Sequence, residues 1–146
     1  VAGSIVGLAL GAHVYLLLLF AVLVTLDLIT KWLEIAKTYL KDRNDADVSL
    51  CHALFSIGAA HRAGYIKSDV MKHRFLGKIC IYLLFTFAAA MVDISFDLLG
   101  TPRFALVLTV GYLMVTEFLS ILENLQEAGV ETAKGLHDLV DKRRQK

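Results

Sequence analysis

The sequence predicts an all-α integral membrane protein with three transmembrane helices, and three observations lead there. The first is composition. Of 146 residues, 57% are hydrophobic and only 20% charged, and the mean hydropathy is +0.63. A soluble domain carries roughly 45–50% apolar residues, and a chain this short has too much surface to hide the excess in one core. The second is the length of the apolar runs, and the third is where the basic residues fall between them. The same numbers exclude a disordered chain, which needs low hydrophobicity and high net charge. With a net charge of +1 and no basic patch isolated from acidic neighbours, no nucleic-acid partner is expected.

The first span is placed at about residues 5–30. Residues 1–26 hold no charged side chain, a run of ~39 Å as helix against a hydrocarbon layer of ~30 Å. A cleaved signal peptide is the competing reading. The numbered chain offers no basic n-region and no Ala-x-Ala site, so the run reads as a retained span. The second span covers 79–99 and carries Asp93 and Asp97. Gly100, Thr101 and Pro102 break it, and Pro102 is the only proline. The third span covers 104–125, with Glu117 and Glu123 inside it. Spans joined so closely form a helical hairpin, since membrane strands are about half that length.

Basic residues near the span ends set the orientation. Lys31, Lys37, Lys41, Arg43, Arg62, Lys67, Lys72, Arg74 and Lys78 lie between the first two spans. Lys134, Lys142, Arg143, Arg144 and Lys146 follow the third, whereas the hairpin turn has only Arg103. The expected topology puts the N-terminus and the turn outside, with the 31–78 loop and the 126–146 basic tail in the cytoplasm. Together they make a single membrane domain, 1–146.

Amphipathic helices are expected in the loop. Asp27, Lys31, Glu34, Thr38 and Lys41 recur at helical spacing, so the first helix continues past the bilayer, with Asp27–Lys31 as a favourable i,i+4 pair. Asp42-Arg43-Asn44-Asp45 is the break. Val48 to Ile66 reads as a surface helix with His52, His61 and Arg62 outward. Ser68 is placed to cap a helix from Asp69 into the second span. A short amphipathic helix is expected between Thr132 and Leu139.

Carboxylates inside spans need an explanation, because insertion costs about 2.5–3.5 kcal/mol for such a group. Asp93 and Glu117 either face an aqueous lumen or a neighbouring helix, or are shallow, protonated or paired within a monomer. Asp27, Asp97 and Glu123 lie nearer the interfaces. Glu117, Ser120, Asn124, Glu127 and Glu131 recur at +3, +4, +3 and +4 on one helix face. Such a polar line suits helix neighbours or pore walls better than lipid. Asp27, Asp93, Glu117, Ser120, Glu123 and Asn124 are therefore the candidate pore or inter-helix polar residues. Gly3, Gly7 and Gly11 form a small-xxx-small repeat that allows close helix packing. Lys67, Lys72, Arg74 and Lys78 suit membrane-surface anchors, with Lys78 able to snorkel.

No enzymatic site is expected. The chain lacks His-Glu-x-x-His, a Gly-rich phosphate loop and a Gly-x-Ser-x-Gly elbow. Cys51 and Cys80 are too few for a disulfide framework, and the adjacent Cys51 and His52 diverge by about 100° on a helix. His13 stands alone in the first span. No metal or cofactor is called for.

The string Glu117-Phe118-Leu119-Ser120-Ile121-Leu122-Glu123-Asn124, followed by Gly129, resembles the C-terminal signature of the toxin-secretion and phage-lysis holin family. Leu26-Asp27-Leu28-Ile29-Thr30 is similar to the end of that family's first helix. Ser68, Lys78 and the apolar stretch closing on Asp93 resemble its middle. The resemblance covers about residues 10–140. Lys31 and Arg74 stand where glycine is common, the 42–66 region is longer, and no proline follows Gly129, so nothing there forces the last helix to stop. The resemblance implies a protein that self-assembles in the bacterial cytoplasmic membrane and opens lesions for an endolysin or a toxin. Two other classes fit the bare residues: a small oligomeric channel or proton-linked transporter subunit, and a structural membrane adaptor.

Overall fold

The computed structural model describes residues 2–43 and 48–136, with side chains from Val14 onward except at Ser68. Among the described residues the helices, in chain order, are α1 Ala2–Asp42, α2 Leu50–Phe55, α3 Ile57–Arg62, α4 Ser68–Leu98 and α5 Ala105–Glu127. Residues 131–136 are also helical, while the rest of the amphipathic segment expected up to Leu139 lies outside the described residues.

Among the described residues, three helices are long and apolar enough to cross a membrane: Val14–Asp42 within α1, Asp69–Leu98 within α4 and Ala105–Glu127. α1 and α4 overrun their predicted spans at the loop end. α1 has 41 residues, about 62 Å of helix, because no glycine or proline interrupts it between Leu26 and Lys41. α4 begins at Ser68 with Lys67 in the cap position, so Ser68 is the first helical residue rather than the predicted cap.

α5 packs against both α1 and α4 and is the central helix of the three. Phe20 and Val24 of α1 meet Val110 and Leu113 of α5, with Phe75, Ile79 and Tyr82 of α4 packed around them. Most apolar side chains still point away from this core. Leu18, Leu83 and Leu108 are 57%, 64% and 67% exposed, a surface that only lipid or further copies can cover.

The segment expected as one surface helix folds as two. Ser56 ends α2 and starts α3. Ala53, Ala60 and Ile66 bury against Ala36, Tyr39 and Leu40 on the extension of α1. His52, His61 and Arg62 remain outward. The Tyr65 hydroxyl donates to Asp42 Oδ2 at 2.9 Å, and that carboxylate raises the phenol above its ordinary pKa.

Both ends of the hairpin depend on glycine. Gly100 sits at φ +69°, its N–H donating to Asp97 O at 3.0 Å while Thr101 N–H donates to Phe96 O at 2.9 Å. Gly129 repeats the arrangement at φ +81°, with bonds to Gln126 O at 2.8 Å and from Val130 N–H to Leu125 O at 2.9 Å. This pair of bonds is the Schellman termination. It stops α5 at Glu127 although no proline follows to force the break.

Candidate functional site

α5 starts without a cap of its own. Phe104 occupies the cap position and provides no side-chain acceptor, yet the first N–H groups of a helix need partners, above all where water is scarce. Asp93 supplies them from α4. Its Oδ1 accepts from Ala105 N–H at 2.8 Å and its Oδ2 from Leu106 N–H at 2.9 Å. The carboxylate is 6% exposed and rests on the positive end of the α5 dipole. A charged residue within a span is thus accounted for as a cap between two helices of the hairpin.

At the other end of α5 lies an ion network joining all three long helices. Glu117 is fully buried. It accepts a short hydrogen bond from the Tyr82 hydroxyl, and its Oε2 lies 2.8 Å from Lys78 Nζ. The same ammonium is 2.6 Å from Asp27 Oδ2 on α1. One lysine therefore bridges two carboxylates on different helices. Asn124 closes the circuit two turns further toward the loop. Its Nδ2 donates to Asp27 Oδ1 at 3.0 Å, to Thr30 Oγ1 at 3.2 Å and to the Asp27 carbonyl at 3.3 Å. Beyond it, Lys31 pairs with its neighbour Glu34 and reaches Glu127 of α5 at 3.6 Å. The expected Asp27–Lys31 pairing gives way to these partners, since Asp27 faces α4 and α5.

Depth explains why the network is built this way. α5 rises about 28 Å from Ala105 to Asn124, close to one hydrocarbon thickness. Glu117 lies about 18 Å along that rise, deep enough that an unpaired carboxylate would not stay charged. Pairing within the bundle shields it from lipid.

A model of the bacteriophage holin family matches residues 4–144. The chain belongs to the bacteriophage holin family. Comparison with curated proteins and with solved structures gave no match. As a family member with three such helices, it is a multi-pass membrane protein of the pore-forming, lysis-associated class.

In this holin-family chain the candidate polar residues divide into three groups. Asp27, Glu117 and Asn124 belong to the ion network, and Asp93 caps α5. Ser120 and Glu123 line a polar cleft of about 310 Å³ between α4 and α5, together with Tyr112 and Thr116 and with Lys78, Tyr82 and Glu117 of the network. The single predicted stripe is therefore divided: Glu117 and Asn124 point inward, Ser120 is half-buried at the cleft, and Glu127 is exposed. Glu131 follows the break at Gly129, so the rotational register of α5 does not carry over to it.

Lys67, Lys72 and Arg74 are exposed at the start of α4, whereas Lys78 turns into the network. Gly3, Gly7 and Gly11 fall within α1, but their surroundings lie outside the described residues. Sequence reasoning missed Tyr82 and Thr30 as network members. Tyr82 sits one turn after Lys78 on α4, and that i,i+4 spacing was the available signal.

Proposed function

We propose that this chain acts as a holin in the bacterial cytoplasmic membrane. Copies insert with the N-terminus outside and the 31–78 loop and basic tail in the cytoplasm. They then associate and open lesions through which an endolysin, or a toxin, leaves the cell. No bond chemistry is involved; opening is a change of association state.

The observation that carries this reading is the division of polar groups on α5. Its inward face, Glu117 and Asn124, is tied to α1 and α4. Its outward line is Tyr112, Thr116, Ser120 and Glu123, of which all but Ser120 are exposed and Ser120 is half-buried. An inserted copy thus keeps its costly charges paired while it diffuses. It also carries a polar line that lipid solvates poorly and that neighbouring copies or a lumen would solvate better. Three helices are too few to enclose a wide hole, so the line becomes useful only when many copies align it. In this proposal Ser120 and Glu123 are wall residues, while Asp27, Glu117 and Asn124 are internal struts. Gly3, Gly7 and Gly11 form a packing seam, and Lys67, Lys72 and Arg74 hold headgroups.

Controlled expression with and without a cytoplasmic muralytic enzyme tests the proposal. It predicts sudden loss of membrane potential in both cases and lysis only when the enzyme is present. Continued growth at high membrane loading contradicts it. Ion leakage without release of the enzyme points instead to the small channel.

A further inference from the structure

A groove of about 400 Å³ opens where α1 leaves the apolar layer. Leu28 and Trp32 of α1, Ile57 of α3 and Phe75 of α4 form its walls, and Lys72 lies on its edge. The volume falls within the ~300–1,000 Å³ typical of small-ligand sites. Its depth follows from the network. Asp27 is hydrogen-bonded to Asn124, at the inner limit of the hydrocarbon layer, so Leu28 to Trp32 occupy about the next 7 Å, the headgroup region.

Three features at this depth belong together. An apolar groove at the headgroup level would expose its walls to water if nothing filled it. Lys72 is exposed at its edge, and a lysine at this depth attracts anionic headgroups. Trp32 lines the groove, and its indole N–H is buried with no hydrogen-bond partner among the described residues. Tryptophan is itself a residue favoured at this level of the bilayer.

We propose that the groove is a docking site for an anionic phospholipid, with an acyl chain between α1 and α4 and the phosphate drawn to Lys72. The site would tie the folded loop and the first turns of α4 to the lipid of one leaflet. The inference rests on the membrane-spanning placement of the helices but not on lesion opening, so it stands or falls separately from lysis.

Trp32 is the only tryptophan and therefore reports on the groove directly. The full chain is reconstituted in phosphatidylcholine vesicles containing graded fractions of brominated phosphatidylglycerol or brominated phosphatidylcholine, and quenching of Trp32 is measured. Half-maximal quenching is expected at about a fivefold lower fraction of the anionic lipid, the effect of one lysine near a membrane surface. Lys72→Gln should abolish that preference. Gly58→Leu should abolish it too, because Gly58 lines the groove with open space before it, so leucine fills the site without changing the charge. Equal quenching by the two lipids, or a preference that survives either substitution, overturns the proposal. Quenching by neither lipid overturns the membrane placement as well.

Discussion

Lys78 and Glu117 meet at 2.8 Å across the α4–α5 interface, with the carboxylate wholly buried. Removing one member of a buried ion pair is far worse than removing both, because the survivor keeps its desolvation cost and loses its compensation. Lys78→Met should destabilise the detergent-solubilised chain by about 3–5 kcal/mol. The triple variant that adds Asp27→Leu and Glu117→Leu should recover most of that loss. Thermal unfolding followed by circular dichroism measures both, and a single variant as stable as the original chain would contradict the network.

Asp93 makes a local prediction. Asp93→Ala leaves the Ala105 and Leu106 N–H groups without their acceptor, a loss of about 2 kcal/mol for two charge-assisted bonds at a helix start. Hydrogen exchange should quicken at those two amides while the amides around Asn124 are unaffected. Equal protection before and after the substitution would show that the cap contributes nothing.

Gly129 is held at φ +81°, and a Cβ there would come 3.1 Å from Lys37 Nζ. The lysine end can move aside, but the backbone angle cannot be relieved so easily. Gly129→Ala should therefore cost about 1 kcal/mol, read as a lowered unfolding midpoint. A midpoint unchanged or raised would show that α5 can end another way.

The outward line of α5 predicts a labelling pattern. In a background lacking the two exposed free cysteines, Cys51 and Cys80, cysteines at Thr116, Ser120 and Glu123 should react with a membrane-impermeant thiol reagent after lesions open. Cysteines at the lipid-facing Leu108 and Val115 should stay protected. Uniform protection along Thr116–Glu123 would remove that face from the lumen.

The three long helices were legible because an apolar run of bilayer length is a one-dimensional signal. Asp93 and Glu117 stood out for the same reason, as charges where charges are costly. Their partners were harder to read. Lys78 and Glu117 are 39 positions apart in the numbering, and their meeting depends on the rotation of two helices about their axes, which apolar composition leaves nearly undetermined when most of the helix surface is apolar. Asp93 escaped assignment because a cap is normally sought beside the helix it serves, not twelve residues earlier on the preceding one. The stop at Gly129 was available in the sequence as a glycine just past the end of the apolar run. The polar line running on to Glu131 at helical spacing masked it.

The central claim is that the charges buried in the spans are paired inside each copy, leaving a different face of α5 for assembly. Solid-state NMR with isotope dilution addresses it without altering a residue. Chains carrying both ¹⁵N-lysine and ¹³C-glutamate are diluted into unlabelled copies in bilayers, and the Lys78 Nζ to Glu117 Cδ contact is recorded. The account predicts that the contact survives dilution undiminished per labelled chain and is missing when singly labelled chains are mixed. A contact that vanishes on dilution and appears in the mixture would place the pair between copies and contradict the account.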